Sequence, residues 1–411
     1  MPRLLLLFLA LTPSLLLKAE VLEVCPTCPY TTIRAGIEAA EIGDEVLVHP
    51  GTYREGNIII DKPIFLTGID YPVVDGEGQY EIFTVTVSGV AIEGFRLVNA
   101  GRSTLKDLSA IRVERARQFT FCDNIIENAQ FGIYLAYAFD GIVEGNRLSS
   151  DAKDEVSSGN GVHCWYAKNI FIAHNDVRRH RDGIYLEFTD DSRIVHNHSE
   201  QNLRYGLHFM FSNRDEYSHN SFIDNGAGVA VMFSKKIGMF DNRFEDNWGR
   251  SSYALLLKEI YDAELDRNAF LSNTIGILME GATRIEYRNN VFKSNGWAIQ
   301  MTGGCMENHF SGNAFISNAL DMVVSSHVND NTFDGNYWSE YTGYDLDRDG
   351  YGDVPHRPVK LFSYITSQTP ESIVLLRSFF VDLLNFSEKV SPVLTPANVL
   401  DNRPLIEQPM P

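Results

Sequence analysis

Three side chains suited to a soft metal ion occur in two short apolar runs near the middle of the chain. His208 and Met210 lie two residues apart in YGLHFM, and Met232 ends the next such run, AGVAVM. Alternate residues of a strand share one face, so a strand would place His208 and Met210 on the same side. Imidazole with thioethers is a ligand set for Cu(I) rather than for magnesium or calcium. The spacing favours a copper site, and an apolar patch against the tail or a partner protein is the alternative.

A second soft pair lies near the N-terminus, where CPTCP places Cys25 and Cys28 three residues apart. Two thiolates at this spacing can bind Cu(I). In an oxidising compartment the same pair forms a disulfide, and two unused thiols are the third possibility. The five cysteines of the chain are too few for a disulfide scaffold.

A group of aspartates late in the chain resembles the start of a calcium loop. DLDRDGYGD places Asp345, Asp347, Asp349 and Asp353 at positions one, three, five and nine, with glycine at position six. The twelfth position is His356 instead of the bidentate glutamate, so the segment is not an EF-hand. It is either a calcium-binding loop or a solvated acidic turn.

The elements that must position these residues are repeats. Six hexamers share the form Asn, any residue, Phe, two residues, Asn, and begin 22, 26, 22, 23 and 18 residues apart. A period near 22 indicates a solenoid. Buried amides stacked coil upon coil can hydrogen-bond to one another, and we expect all six phenylalanines to stack inside the tube. The hexamers are NSFIDN, NRFEDN, NAFLSN, NVFKSN, NAFISN and NTFDGN, starting at Asn220, Asn242, Asn268, Asn290, Asn313 and Asn331.

Short alternating runs follow most of the hexamers, and they predict an all-β fold, a right-handed parallel β-helix over residues 20–340. One set of alternate positions is apolar and is predicted to face inward; it includes Leu207, Phe209, Val229 and Val231. The other set is predicted to face outward and carries His208, Met210 and Met232, with Met210 and Met232 about 4.8 Å apart on neighbouring coils.

Carbohydrate-active β-helices place paired carboxylates on one outward face. The outward rows here carry Tyr, His, Trp and Met, with Glu187 and Glu280 as isolated acids. We therefore expect a protein that is not an enzyme. A β-helix that binds or cleaves polysaccharide remains the alternative.

Both ends of the tube depart from the repeat. TTIRAGIEAA predicts a capping helix before the first coils, with Thr31 or Thr32 as its N-cap. Residues 341–360 form the acidic loop, and residues 361–411 form a tail. Within the tail, residues 370–389 predict an amphipathic helix with one polar stripe, which suggests docking on a partner. We expect the tube to fold without residues 370–411.

Residues 1–19 predict a secretory signal peptide, because Arg3 precedes an apolar run and Ala19 can precede a cleavage site. The formal net charge of the whole chain is −19. A surface this acidic disfavours nucleic acid as a partner.

Four stretches in order resemble the NosD family. The first, TIRAGIEAAEIGDEVLVHPGTYREGNIIIDKPIFLTG, is common to many sugar-binding and sugar-cleaving β-helices. YGLHFMFSN, GNYWSEYTGYDLDRDGYGDVPHRP and SIVLLRSFFVDLLNFSEKV are more specific. The resemblance covers nearly the whole chain after the leader.

The resemblance implies a periplasmic protein without enzymatic activity that works with an ABC transporter, made of the NosF ATPase and the NosY permease. It would help deliver copper, received from a lipoprotein chaperone, to apo nitrous-oxide reductase for its copper–sulfur centre. The family's LHFM stretch falls on His208 and Met210, and the tail helix would dock on the permease. CPTCP has no counterpart in the resemblance, and a metal-free scaffold for the reductase is a further alternative.

Overall fold

The computed structural model describes residues 19–151, 153–249, 251–325, 330–375, 378–390 and 399–409. Nearly all of the predicted signal peptide, residues 1–19, lies outside the described residues.

The described chain winds through three parallel sheets, and each coil visits them in the order sheet 1, sheet 2, sheet 3. Sheet 1 has 14 strands: Val21–Val24, Glu45–Val48, Phe65–Gly68, Ala91–Glu93, Thr120–Cys122, Phe139–Glu144, Lys168–Ala173, Arg193–Val195, Glu216–Ser218, Gly238–Phe240, Tyr261–Asp266, Thr283–Arg288, Met306–Ser311 and Asp330–Asp334. Sheet 2 has 13: Thr52–Tyr53, Val73–Asp75, Arg96–Val98, Ile125–Glu127, Arg147–Ser149, Asp176–Arg178, His198–Glu200, Ser221–Ile223, Arg243–Glu245, Ala269–Leu271, Val291–Lys293, Ala314–Ile316 and Tyr337–Trp338. Sheet 3 has 12: Ile58–Ile60, Phe83–Val85, Ser109–Glu114, Phe131–Ala136, Val162–Trp165, Asp182–Glu187, Tyr205–Met210, Ala227–Met232, Leu255–Lys258, Ile275–Glu280, Trp297–Thr302 and Leu320–Val324.

The interior of the tube is one continuous apolar core, and it confirms the predicted parallel β-helix. Leu207, Phe209, Val229 and Val231 are all fully buried and belong to this core. A parallel stack leaves no solvated inner face, so every coil must place apolar side chains at these alternate positions.

The repeated asparagines form the predicted ladder. Asn220 Nδ2 donates to Asn242 Oδ1 at 3.0 Å, and Asn242 Nδ2 donates to Asn268 Oδ1 at 3.0 Å. The ladder already begins at Asn124, whose Nδ2 donates to Asn146 Oδ1 at 3.1 Å. Every rung also donates to a backbone carbonyl or receives a backbone N–H, so the buried turns are satisfied internally.

A second ladder runs through the asparagine that closes each of the first five hexamers, for example from Asn247 Nδ2 to Asn273 Oδ1 at 2.9 Å. In both ladders the amide nitrogen donates toward the C-terminal end of the tube. The second ladder ends where Asn318 Nδ2 donates to Asp321 Oδ1 at 3.1 Å. Aspartate accepts without needing to donate, which suits the last rung of such a ladder.

All six hexamer phenylalanines are buried, as predicted, but only five of them form one stack, inside sheet 2. Neighbouring rings lie 4.7–5.3 Å apart along Phe222, Phe244, Phe270, Phe292 and Phe315, and Trp338 continues the stack at 4.1 Å. Phe333 is buried on sheet 1, 4.8 Å from Phe310. The short spacing before its hexamer places it in a different part of the coil.

The predicted N-terminal helix covers the first coils. It spans Ile33–Ala39, and Thr32 Oγ1 accepts the N–H of Ala35, so Thr32 is the N-cap. Its buried face of Ile33, Gly36 and Ile37 packs on the first strands.

The tail is not a single helix. Leu361–Gln368 is helical and packs on the last strand of sheet 3, Pro370–Leu375 is a 3-10 turn, and a second helix spans Phe379–Val390. No helix among the described residues is long and apolar enough to cross a bilayer.

Tail residues contribute to the C-terminal end of the tube, while folding without residues 370–411 stays a prediction. The carboxylate of Asp401 is fully buried and accepts from Asn336 Nδ2 and Trp338 Nε1, each at 3.0 Å. Asp401 is thus the last rung of the first asparagine ladder. Val399 joins the core beside it.

Candidate functional site

Met210 and Met232 lie side by side on the outer face of sheet 3. They are register partners in adjacent strands, and both are partly exposed. The same outer row, which we call the methionine row, contains in successive coils Ala136, Trp165, Glu187, Met210, Met232, Lys258 and Glu280. Lys258 and Glu280 form an ion pair at 3.1 Å. The methionine pair therefore sits between an acidic neighbour on one side and a paired lysine on the other.

His208 shares the outer face with Met210 but is only 4% exposed, so the expectation of an open surface ligand is corrected. Its ring stacks on Tyr185 with centroids 4.6 Å apart and is covered by Tyr205 at 4.8 Å. The large aromatic side chains of the neighbouring positions cover the imidazole. An ion bound by His208 would be shielded from bulk water on the imidazole side only, because Met210 and Met232 are partly exposed.

The environment of His208 keeps its imidazole neutral. Burial lowers the pKa of His208, and the carboxylate of Asp182, 3.5 Å from Nδ1, only partly opposes the shift. Asp182 is fully buried and is held by Arg204, whose Nε donates at 2.8 Å. Neither Nδ1 nor Nε2 of His208 has a hydrogen-bond partner among the described residues, and Asp182 is only near Nδ1. A neutral imidazole with a nitrogen not used in a hydrogen bond fits a soft-metal ligand.

The row of outward positions that contains His208 carries a second buried histidine that sequence reasoning left unassigned. His163 stacks on Tyr134 at 4.5 Å and contacts Tyr185 at 4.9 Å, and Nδ1 of His163 lies 3.1 Å from Asn160 Nδ2. Burial, with the nearby Arg181 guanidinium, lowers the pKa of His163 to about 3. Its strand position matches that of His208 two coils on, and this periodic match was the available signal.

Beside the methionine row runs a set of five stacked aromatic rings, which we call the aromatic ladder: Tyr137, Tyr166, Phe188, Phe211 and Phe233. Neighbouring rings lie 4.6–5.4 Å apart. All five have positive φ, which bulky residues adopt rarely. Because the rings face one another, their edges meet the solvent. The sequence signal was an aromatic residue directly after each of five successive positions of the outer row, from Ala136 to Met232.

Cys25 and Cys28 are joined in a disulfide, one of the states left open by the sequence. In this state they offer no thiolate to Cu(I). Donor atoms of Glu23, Cys28 and His49 lie within 4.8 Å of one another. His49 Nε2 is 3.4 Å from Glu23 Oε2.

Donor oxygens of Asp345, Asp347 and Asp349 come within 4.8 Å of one another, and Asp353 is not part of that group. Asp353 Oδ2 instead accepts the N–H of Leu346 at 2.7 Å. The carboxylate of Asp349 raises the pKa of Asp347, as expected for close like charges. The loop is fixed to the tail by the antiparallel bridges between Tyr351 and Leu405 and between His356 and Asp401.

The fold is a parallel β-helix, and the outer row of sheet 3 that contains Met210 and Met232 holds a candidate soft-metal site. Among the described residues of that row, no two carboxylates lie in adjacent coils. The chain belongs to the NosD family. Residues 144–343, which contain His208, Met210 and Met232, match the family described as "Periplasmic copper-binding protein (NosD)".

Two curated relatives support this assignment. A protein of Pseudomonas aeruginosa named "Probable ABC transporter binding protein NosD" is 32% identical over 373 residues, which is 86% of each chain. A protein of the same name from Stutzerimonas stutzeri is 29% identical, over 88% of this chain and 86% of the relative. Both relatives are named as binding proteins.

Solved structures share the fold. The catalytic unit of a GH87 α-1,3-glucanase from Streptomyces thermodiastaticus superposes with a TM-score of 0.57 at 16% identity, covering 73% of this chain and 65% of the other. The mannuronan C-5 epimerase AlgE4 A-module of Azotobacter vinelandii gives 0.50 at 16% identity, covering 73% and 89%. Likeness at this identity concerns the architecture alone.

Proposed function

We propose that this protein binds copper as cargo in the periplasm and passes it to apo nitrous-oxide reductase for assembly of the copper–sulfur centre. The family description as copper-binding and periplasmic supports the compartment and the metal. The predicted signal peptide supports export.

The observation that carries the proposal is the methionine pair. Met210 and Met232 are in register on adjacent coils, and His208 lies two residues from Met210 on the same face. Two thioethers and a neutral imidazole favour Cu(I) over hard cations. Partial burial holds these ligands in place without enclosing the ion, which suits a protein that must release its cargo.

The test is the double variant Met210→Leu, Met232→Leu. The change keeps volume and apolarity, so unfolding free energy should move by less than about 1.5 kcal/mol. Cu(I) affinity of the purified protein under reducing conditions, and the copper content of co-expressed reductase, should both fall.

Met306→Leu is the matched control, because Met306 is 53% exposed but lies on sheet 1. Normal Cu(I) binding and full reductase maturation in the double variant would make the methionine row a contact patch. The reduced Cys25 and Cys28 pair would then be tested next.

The names of the relatives support an ABC transporter as a partner. We place the contact with the permease on the helix Phe379–Val390, where Phe379, Leu383 and Phe386 are exposed. An apolar face this open is a common mark of a binding surface. The NosF ATPase would act through the NosY permease, and a lipoprotein chaperone would supply the copper.

The acidic loop supports a secondary proposal of calcium binding by Asp345, Asp347 and Asp349, with Asp353 reserved for the loop's own backbone. Isothermal titration with Ca²⁺ tests it. A scaffold that clamps the reductase without metal is the alternative to copper delivery, and reductase binding that persists without any Cu(I) affinity would support it. A polysaccharide-binding or polysaccharide-cleaving β-helix has only the shared fold in its favour.

A further inference from the structure

A second ring stack lies at a different corner of the tube from the methionine row. His174, His196 and His219 occupy three consecutive coils, each directly after a strand of sheet 1 and before the next strand of sheet 2. The rings of His174 and His196 are 5.0 Å apart and nearly parallel, and those of His196 and His219 are 4.8 Å apart. All three residues are exposed.

Packing does not account for these histidines. Their φ angles are 55°, 55° and 57°, in the left-handed region. Asp123, Gly145, Asp241, Arg267 and Asn289 hold the same turn in other coils, so the turn accepts several residue types and does not require histidine. The occurrence of histidine in three consecutive coils brings three exposed imidazoles together.

The titratable groups that face the stack are its own members and Asp241. Partial burial against the neighbouring rings, and then the charges of His219 and His174, lower the pKa of His196. His219 Nε2 lies 3.9 Å from Asp241 Oδ2. Asp241, on the next coil, accepts two hydrogen bonds from Arg267, at 2.8 and 2.9 Å, and is not counted as a ligand.

We propose that His174, His196 and His219 form a binding site for a divalent first-row transition ion, held between two adjacent imidazoles. Exposed rings about 5 Å apart can turn about the Cβ–Cγ bond until one nitrogen of each points at a shared ion about 2.0–2.1 Å away. The ion can occupy either of two positions, which we call registers: between His174 and His196, or between His196 and His219. Cu²⁺ binds such nitrogen sites more strongly than Zn²⁺. The site uses no thioether, so it does not rest on the proposed Cu(I) function.

The registers share His196, and this sets the test. Tag-free full-length mature protein carrying Met210→Leu and Met232→Leu is titrated with Cu²⁺ alone and then with Zn²⁺ alone. His196→Asn should weaken Cu²⁺ binding by more than about tenfold, because both registers lose a ligand. His174→Asn and His219→Asn should each weaken it by about twofold, the statistical loss of one register in two. Electron paramagnetic resonance should show two nitrogen ligands.

His309→Asn is the matched control, because His309 is exposed on sheet 1 outside the stack. Asn289 holds the same turn as His174, His196 and His219 in another coil, so the asparagine variants of these three histidines should fold. Unchanged thermal unfolding checks this. Equal Cu²⁺ affinity in His196→Asn and the parent protein, or a spectrum without nitrogen ligands, would overturn the proposal. Loss of Cu(I) binding in the methionine variant leaves these outcomes unaffected.

Discussion

At the scale of single residues, the aspartate that ends the second asparagine ladder links stability to pH. Asp321 is 7% exposed, and burial raises its pKa to about 6, with the hydrogen bond from Asn318 and the charge of Lys360 opposing. The folded state therefore holds this proton at pH values where the unfolded chain has released it. The contribution of Asp321 to stability is complete below about pH 4 and is lost as pH rises through about 6, a change of at most about 3 kcal/mol.

We predict that Asp321→Asn removes this dependence. Asparagine keeps an acceptor oxygen for Asn318 but cannot ionise, so the fall of up to about 3 kcal/mol in unfolding free energy between pH 4 and pH 7 should be absent from the variant. Urea unfolding between pH 4 and pH 7 measures it. A parent protein whose stability is flat across that range would show that Asp321 is ionised without penalty.

For single residues, the sequence predicted which side chains share the outer face better than it predicted how exposed each of them is. It placed Met210, Met232 and His208 on one outer face, as the structure does. It missed the burial of His208, because exposure on the outside of a tube depends on the size of side chains in neighbouring coils. Tyr185 comes from the preceding coil, and Tyr205 lies three residues before His208 in the same strand. Alternation alone does not reveal that these two rings cover the imidazole.

At the scale of elements, the aromatic stack of sheet 2 is the regular feature that the repeat predicted. Phe292 is fully buried between Phe270 at 4.8 Å and Phe315 at 4.9 Å. Phe292→Ala should lower unfolding free energy by about 3–5 kcal/mol, the usual cost for a large buried aromatic. Chemical denaturation measures it, and a loss below about 1 kcal/mol would contradict the inward register.

The sixth hexamer explains where the repeat could mislead. Asn336, not Asn331, follows Asn313 in the first ladder, while Asn331 accepts from Asn308 in another part of the coil. NTFDGN has the same motif as the other hexamers, but it begins only 18 residues after the previous hexamer, which is less than one coil. The spacing between the repeats, and not the motif itself, determines which sheet a residue joins.

At the scale of the whole molecule, the C-terminal end of the tube depends on a buried carboxylate supplied from far along the chain. Asp401 accepts from the backbone N–H groups of Gly335, Asn336 and Arg403 as well as from two side chains. Asp401→Ala would leave these five donors without their acceptor, and unfolding free energy should fall by more than about 3 kcal/mol. Asp401→Asn, which retains an acceptor, should cost less; equal thermal stability of Asp401→Ala and the parent would refute the cap.

The exposed helix can be tested separately from this cap. Changing Phe379, Leu383 and Phe386 together to serine should leave thermal unfolding nearly unchanged, because all three are more than half exposed. Association with the transporter, measured by co-purification, should be lost because the apolar face is gone. Retained co-purification would move the contact elsewhere.

The one-way direction of the asparagine ladder has a consequence for the order in which the protein matures. Nδ2 of each ladder asparagine needs an acceptor that is supplied by the coil after it. For the last asparagine, Asn336, this acceptor is Asp401, 65 residues further along the chain. A chain emerging from an export channel can therefore wind coil by coil while its leading edge still lacks an acceptor. The tube is finished only when the Asp401 segment folds back, so a truncated translation product carries an open end that quality-control proteases can recognise.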